Sequence, residues 1–438
     1  MSTTRLPVAI LGAGFAGLVA ADELTKRGIP VEVYEASPVI GGLARSFKDE
    51  DGFSLDFGAH FITNRLAAAV GIGDKCRTVR YYGESVWFDR SVSSYPFGLL
   101  RRPRFVLSAI RARTTRSRPP RTVADLLRQR YGHALAREVA EPLIEAWSGL
   151  PATGLAAAVA DKLSTSIPKT LWLRAAGFAT RRAVAIGYCK EQPESANVWH
   201  VYPEEGVSML VNHLGDRLRS HIRLQTPVGG IVVEDGAVRA VVVNGEERPV
   251  AAAISTAPVN VLPKIVRGTD RLAHLASFRY RPMVFVNLRL EGRNLMPDVV
   301  TWTPGNEVPF FRVTEAPMSM PWLAPEGKTI VTLDIGCEVG DEIWSAQDQD
   351  LATLCLKGLE LILPSAISRY LGHTVLRTPI AYPVFDLKYE EERQAFSAGT
   401  GITGLMSVGR NGEFDHLLME DLYWRTLKRV RHFATGFA

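Results

Sequence analysis

Gly12-Ala13-Gly14-Phe15-Ala16-Gly17 constrains this chain more than any other stretch. It follows an apolar run, residues 8–11, that reads as a buried strand, and it leads into an amphipathic helix expected over residues 18–27. Residues 31–34 read as a second strand, completing a βαβ unit. In such a unit the first glycine permits a tight turn, the second lets backbone N–H groups approach a pyrophosphate, and the third lets the helix pack closely on the strand. The helix N-terminus adds partial positive charge. Glu35 ends the second strand, about 20 residues past the turn, where a carboxylate accepts hydrogen bonds from an adenosine ribose and disfavours a 2′-phosphate. The unit therefore reads as a dinucleotide site, with Gly12, Gly14, Phe15, Ala16, Glu35 and Ala36 as its expected contacts. A ligand-free glycine-rich turn is the plainer alternative.

The 438 residues exceed what one hydrophobic core comfortably serves, which points to two interleaved domains. Hydrophobic residues make up 46% and charged residues 22%, an ordinary globular balance. The apolar start is interrupted by spaced glycines and runs straight into a helix, so it reads as folded protein, and the expected location is cytoplasmic. Cys76, Cys189, Cys337 and Cys355 are scattered without metal-ligand spacing, which disfavours disulfides and zinc. A net charge of +5 is too weak a bias to imply nucleic acid.

Residues 53–57 alternate like a strand, after which residues 66–200 read as a mostly helical, irregular insert. β character returns near residue 201: a helix over 207–219, a hairpin of 228–233 with 237–243 around Asp235-Gly236, and a small-residue strand at 252–255. Residues 277–377 form a second, β-rich insert with strands at 283–290 and 329–335 and a helix at 348–363. Its aromatic centre, Trp302, Pro309, Phe310, Phe311 and Trp322, suits a pocket wall or a core equally. A short strand within 404–409 leads to a helix over 417–431.

Three further segments separate FAD from NAD. Ile40-Gly41-Gly42-Leu43-Ala44-Arg45 resembles the second fingerprint of FAD enzymes related to the amine oxidases, which lines pyrophosphate and flavin. Asp56-Phe57-Gly58-Ala59-His60 resembles the family element that passes beside the isoalloxazine ring. Ser407-Val408-Gly409-Arg410, followed by a helix with Met419-Glu420, resembles the segment that closes over the pyrophosphate and aims a helix N-terminus at the flavin. The Val228 strand resembles the family strand that meets the adenine through its backbone. The resemblance, end to end, is to the superfamily of amine oxidases, protoporphyrinogen oxidases, phytoene desaturases and UDP-galactopyranose mutases. It implies an α/β architecture: a Rossmann-like FAD-binding domain of the GR2-type flavoprotein class (residues 1–65, 201–276 and 378–438) with an inserted α+β substrate domain (66–200 and 277–377). The implied cofactor is non-covalent FAD, contacted also by Gly42, Leu43, Ala44, Arg45, Gly58, Ala59, His60, Val228, Gly409 and Met419.

Residues 381–387 resemble protoporphyrinogen oxidases, whereas Phe57-Gly58-Ala59-His60-Phe61-Ile62 and Gly409-Arg410-Asn411-Gly412-Glu413-Phe414 resemble the mutases. Thr63 stands where the mutase loop has a second histidine, and Phe414 and His416 stand where its C-terminal motif has tyrosines. The expected activity is oxidation of a small organic substrate by hydride transfer to flavin N5, with a non-redox sugar mutase as the alternative. His60 and Arg410 are the candidate catalytic residues: His60 for proton transfer or a flavin hydrogen bond, Arg410 for an anionic substrate group or for capping its turn. Between residues 101 and 121 stand eight arginines and no acid, either a solvated face or a dock for anionic lipid or an acidic carrier protein.

Overall fold

Val8–Leu11 pairs in parallel with Val31–Tyr34 on one side and with Ala252–Ser255 on the other. Ile222–Arg223 and Leu405–Ser407 extend this sheet at its two edges. In the computed structural model, which describes residues 5–58, 60–95, 97–114, 118–160 and 167–437, one parallel sheet thus collects strands from distant parts of the chain. All four residues of Val8–Leu11 and of Ala252–Ser255 are buried, as a parallel sheet covered on both faces requires. Phe15–Lys26, Ser208–Arg217 and Met419–Ala434 supply part of the cover, meeting the sheet through Leu18, Leu210 and Leu427 among others.

The first helix begins at Phe15, earlier than its apolar pattern suggested, because Gly14 already serves as its N-cap. The hairpin Val228–Glu234 with Ala237–Val243 forms as expected, Asp235 and Gly236 lying at φ of 50° and 73°.

The larger difference lies in the first insert. It carries helices Pro103–Thr114, Val123–Tyr131, Glu141–Ser148 and Ile167–Thr180, but also the hairpin Glu84–Phe88 with Ser91–Ser94. That hairpin turns through Asp89 and Arg90 at φ of 55° and 51°, a left-handed turn without glycine. Glu84–Phe88 then pairs in parallel with Val300–Trp302 of the second insert. The two inserts therefore share one seven-stranded sheet, closed on its far side by Tyr280–Glu291, Lys328–Gly336 and the long strand Tyr370–Pro383. This last strand runs without interruption through residues 377 and 378, where one domain was expected to give way to the other.

Candidate functional site

The three glycines of the first turn answer to different neighbours. Gly12 lies at φ +104°, and a Cβ there would stand 2.3 Å from Thr256 Oγ1; a Cβ on Gly17 would stand 2.0 Å from the Gly12 carbonyl oxygen. Both are demanded by the fold. Gly14 has an ordinary φ of −70° and no atom within 4 Å of where a Cβ would stand, so neither backbone nor packing requires it. What its bareness keeps clear is the cleft in front of it. No side chain caps the helix that starts at Phe15, which leaves first-turn N–H groups facing that space for an anion.

Neighbouring segments complete the cradle. The Gly41 N–H donates to the Ala13 carbonyl at 2.9 Å, and a Cβ on Gly42 would lie 3.5 Å from the Gly14 Cα, so the second glycine pair rides directly on the first turn. Arg45 is held by its Nε donating to the Gly42 carbonyl at 2.9 Å. The Glu35 carboxylate accepts from the Ala13 N–H at 2.7 Å and from the Ser37 N–H at 2.8 Å, which orients it at the end of its strand with lone pairs still available. From the other end of the chain, Gly409 reaches φ +90° with its α-carbon against Ala16, where a Cβ would come within 2.7 Å of the alanine methyl.

A cleft of about 1110 Å³ runs past all of these groups. Gly12, Gly14, Phe15, Ala16, Glu35 and Ala36 line it, as do Gly42, Leu43, Ala44 and Arg45. So do His60, Val228, Gly409, Arg410 and Met419. Gly58 does not: its φ of +77° turns it toward the Phe285 ring and Arg312, and it borders only a small void of about 20 Å³. Ala59 lies outside the described residues. The volume exceeds the roughly 300–1,000 Å³ of a pocket for a single drug-sized ligand. The surplus is a chamber walled by Leu127, Leu143, Ile144 and Trp147 from the first insert and by Trp302 and Phe311 from the second. Of the aromatic centre, then, Trp302 and Phe311 face the cleft while Phe310 is buried in the core.

Charged and titratable groups gather where cradle meets chamber. His60 Nδ1 lies 3.8 Å from an Asp56 carboxylate oxygen, beyond hydrogen-bond reach. Asp56 accepts from Ser46 Oγ at 2.6 Å and from the Tyr202 hydroxyl, and burial pushes its carboxyl up to about 6. Burial, reinforced by the nearby Arg410 and Arg312 guanidiniums, pulls His60 down to about 4, so its imidazole is neutral at pH 7. Arg312 stands directly across from Asp334 in adjoining strands and forms an ion pair with it; burial works against the guanidinium, but the Asp334 carboxylate holds it charged. Arg410 Nε donates to the Leu417 carbonyl at 3.2 Å and its guanidinium lies 5.5 Å from the centre of the Tyr382 ring. Burial draws its pKa down from the ordinary arginine value, and it makes no ion pair among the described residues.

Arg312 and the chamber residues Leu127, Leu143, Ile144 and Trp147 were absent from the residues singled out in the sequence, whereas Tyr382 and His416 stood in motifs noted there and Trp302 and Phe311 in the aromatic centre. A signal for one of them existed: an arginine in Phe310-Phe311-Arg312 and an aspartate in Leu333-Asp334-Ile335 are charges inside apolar strands, the pattern of a buried ion pair. Phe414, where a tyrosine was noted as missing, is a core residue packed on Phe278 and Tyr280. The lost hydroxyl is therefore a feature of the core and not of the cleft, whereas His416 does line the cleft.

The model of the family described as flavin containing amine oxidoreductase matches residues 15–401. The chain belongs to this family. Its cofactor is FAD, and the glycine cradle, the oriented Glu35 carboxylate and the uncapped helix start fit that dinucleotide. Among curated proteins, a zeta-carotene desaturase of Zea mays is 46% identical over 56 residues, 13% of this chain and 10% of that protein. A carotenoid phi-ring synthase of Chlorobaculum tepidum is 31% identical over 114 residues, 22% of this chain and 18% of its own. The chain thus matches only a small part of the length of these relatives. Solved structures match throughout: reduced UDP-galactopyranose mutase with a TM-score of 0.80 at 18% identity, covering 99% of this chain and 95% of that one. An Exiguobacterium sp. protein assigned as a protoporphyrinogen oxidase gives 0.76 at 17% identity over 100% of both chains, and a putrescine oxidase variant 0.69 at 15% over 98% and 99%. At these identities the likeness is one of fold.

Proposed function

We propose that the protein is an FAD-dependent oxidoreductase that removes two electrons, as hydride with loss of a proton, from a largely apolar organic substrate bearing an anionic oxygen group. The observation that carries this reading is the continuity of the cleft from the glycine cradle into an apolar chamber with Arg410 at the junction. Bound FAD supplies the hydride acceptor, at flavin N5. Leu127, Leu143, Ile144 and Trp147 favour an apolar body and keep water away from it. Arg410 is a guanidinium without a carboxylate partner among the described residues, and an anionic substrate group would satisfy it. A protonated amine would meet the Arg410 guanidinium, unpaired among the described residues, as a like charge, Arg312 being balanced by Asp334, which argues against an amine substrate despite the family's name. His60, neutral, offers a hydrogen bond to flavin or substrate, and as a base weakened by burial it would pass the leaving proton on and not hold it.

A second reading, a non-redox mutase acting on a phosphorylated sugar, draws on the pair Arg312 and Arg410 in one chamber. One experiment separates the two. The oxidised protein is mixed anaerobically with long-chain and aromatic carboxylates, neutral polyenes, amines and nucleotide sugars while flavin absorbance is followed. Bleaching by apolar anions supports the oxidoreductase. Turnover only after dithionite reduction, without net oxidation, supports the mutase. Bleaching by amines alone contradicts the substrate assignment.

A further inference from the structure

Two helices of the first insert present apolar side chains to solvent. In Pro103–Thr114, Phe105 is buried while Leu107 and Ile110 are exposed, Leu107 by 67%. In Ile167–Thr180, Leu173 is buried while Leu171, Trp172 and Phe178 are exposed, Trp172 by 60% and Phe178 by 90%. At helical spacing Leu171, Ala175 and Phe178 share one stripe, with Trp172 beside it and Leu173 and Gly177 on the opposite, buried side. Leu107 and Ile110 oppose Phe105 in the same way.

Cations flank both stripes: Arg104, Arg111 and Arg113 on the first helix, Lys169 and Arg174 on the second, with Arg181 and Arg182 just beyond its end. Some of this charge is balanced locally, since Arg104 pairs with Glu138, Lys169 pairs with Glu194, and Arg182 lies over Trp199. Arg101, Arg113 and Arg181 make no ion pair among the described residues. Neither residues 97–121 nor residues 167–182 contain an aspartate or glutamate.

We propose that the apolar stripe of each of these helices is a docking surface for an anionic lipid bilayer, the stripe in the acyl boundary and its flanking cations among the headgroups. Charge complementarity selects an anionic partner. The outward Leu107, Trp172 and Phe178 select a bilayer over an acidic protein, because an acidic surface would satisfy the arginines and leave these side chains against charge. No helix among the described residues is long and apolar enough to cross a membrane, so the contact proposed is peripheral. The proposal stands apart from the reaction assigned above.

The test is sedimentation of the full-length, FAD-loaded protein with vesicles of phosphatidylcholine alone or of equimolar phosphatidylcholine and phosphatidylglycerol. The protein should pellet with the anionic vesicles only, and less so as salt is raised. The double variant Trp172→Ser/Phe178→Ser and, separately, Leu107→Ser/Ile110→Ser should each weaken binding about tenfold. All four side chains are exposed, so flavin absorbance and Tm should stay unchanged and report intact folding in both variants. Equal recovery with both vesicle types, or none with either, would overturn the proposal. So would wild-type binding by both variants together with complete release by polyglutamate, an outcome that assigns the face to an acidic protein.

Discussion

Gly14 and Gly17 belong to one motif but make opposite predictions. Gly14→Ala places a methyl in open cleft at an ordinary φ, so the protein should fold normally and hold FAD less tightly. Flavin retained through gel filtration, read beside Tm, measures this. Gly17→Ala drives a methyl into the Gly12 carbonyl and should cost roughly 1–3 kcal/mol of stability by chemical denaturation. Arg410 Nε donates to the Leu417 carbonyl, and the residue also borders the cleft. Arg410→Met should raise KM for an anionic substrate by about tenfold or more, with Arg410→Lys recovering part of the loss, as steady-state kinetics would show. Asp56 and His60 give a pH prediction. The Asp56 carboxyl rises from 3.8 to about 6 in the fold, so its contribution to stability is full below pH 3.8 and lost as pH rises through about 6. The His60 imidazole falls from 6.5 to about 4, so its contribution is full above pH 6.5 and lost as pH falls through about 4. The two oppose each other between about pH 4 and 6. Asp56→Asn removes the first and leaves the second, so the variant's Tm should fall more steeply than the wild type's on acidification from pH 6.5 to 4.

At the scale of elements, the helix Glu141–Ser148 sends Leu143, Ile144 and Trp147 into the chamber, away from the glycine cradle. Trp147→Ala should therefore lower kcat/KM by about tenfold while FAD occupancy, measured by absorbance ratio, stays full. The cradle elements were legible in the sequence because each is local: strand, turn and helix from Val8 onward are dictated by glycines and apolar runs a few residues apart. The chamber was legible only in part: Trp302 and Phe311 stood in an aromatic centre that suits a pocket wall, but Leu127, Leu143, Ile144 and Trp147 are ordinary helix residues whose meeting with that centre no local pattern marks. The pairing of Glu84–Phe88 with Val300–Trp302 leaves no local trace, and its hairpin turns on Asp89 and Arg90 where no glycine marks the turn. Gly58 shows the converse: it stands in a recognisable motif, yet its positive φ serves packing against Phe285 and not the cleft.

The whole molecule places a cofactor cradle built from chain segments far apart in sequence beneath a chamber built from the two inserts, joined by one cleft. This arrangement lets the dinucleotide site stay constant while the chamber decides the substrate. The most direct test is a crystal structure of the FAD-loaded protein. The account predicts adenosine density beside Glu35 and Val228, pyrophosphate at Gly14, and a flavin ring bordered by His60, Arg410 and Met419 whose open face looks into an empty chamber beside Trp147. A flavin ring lying inside the chamber against Leu143 and Trp147, with no free volume on either face, would contradict it.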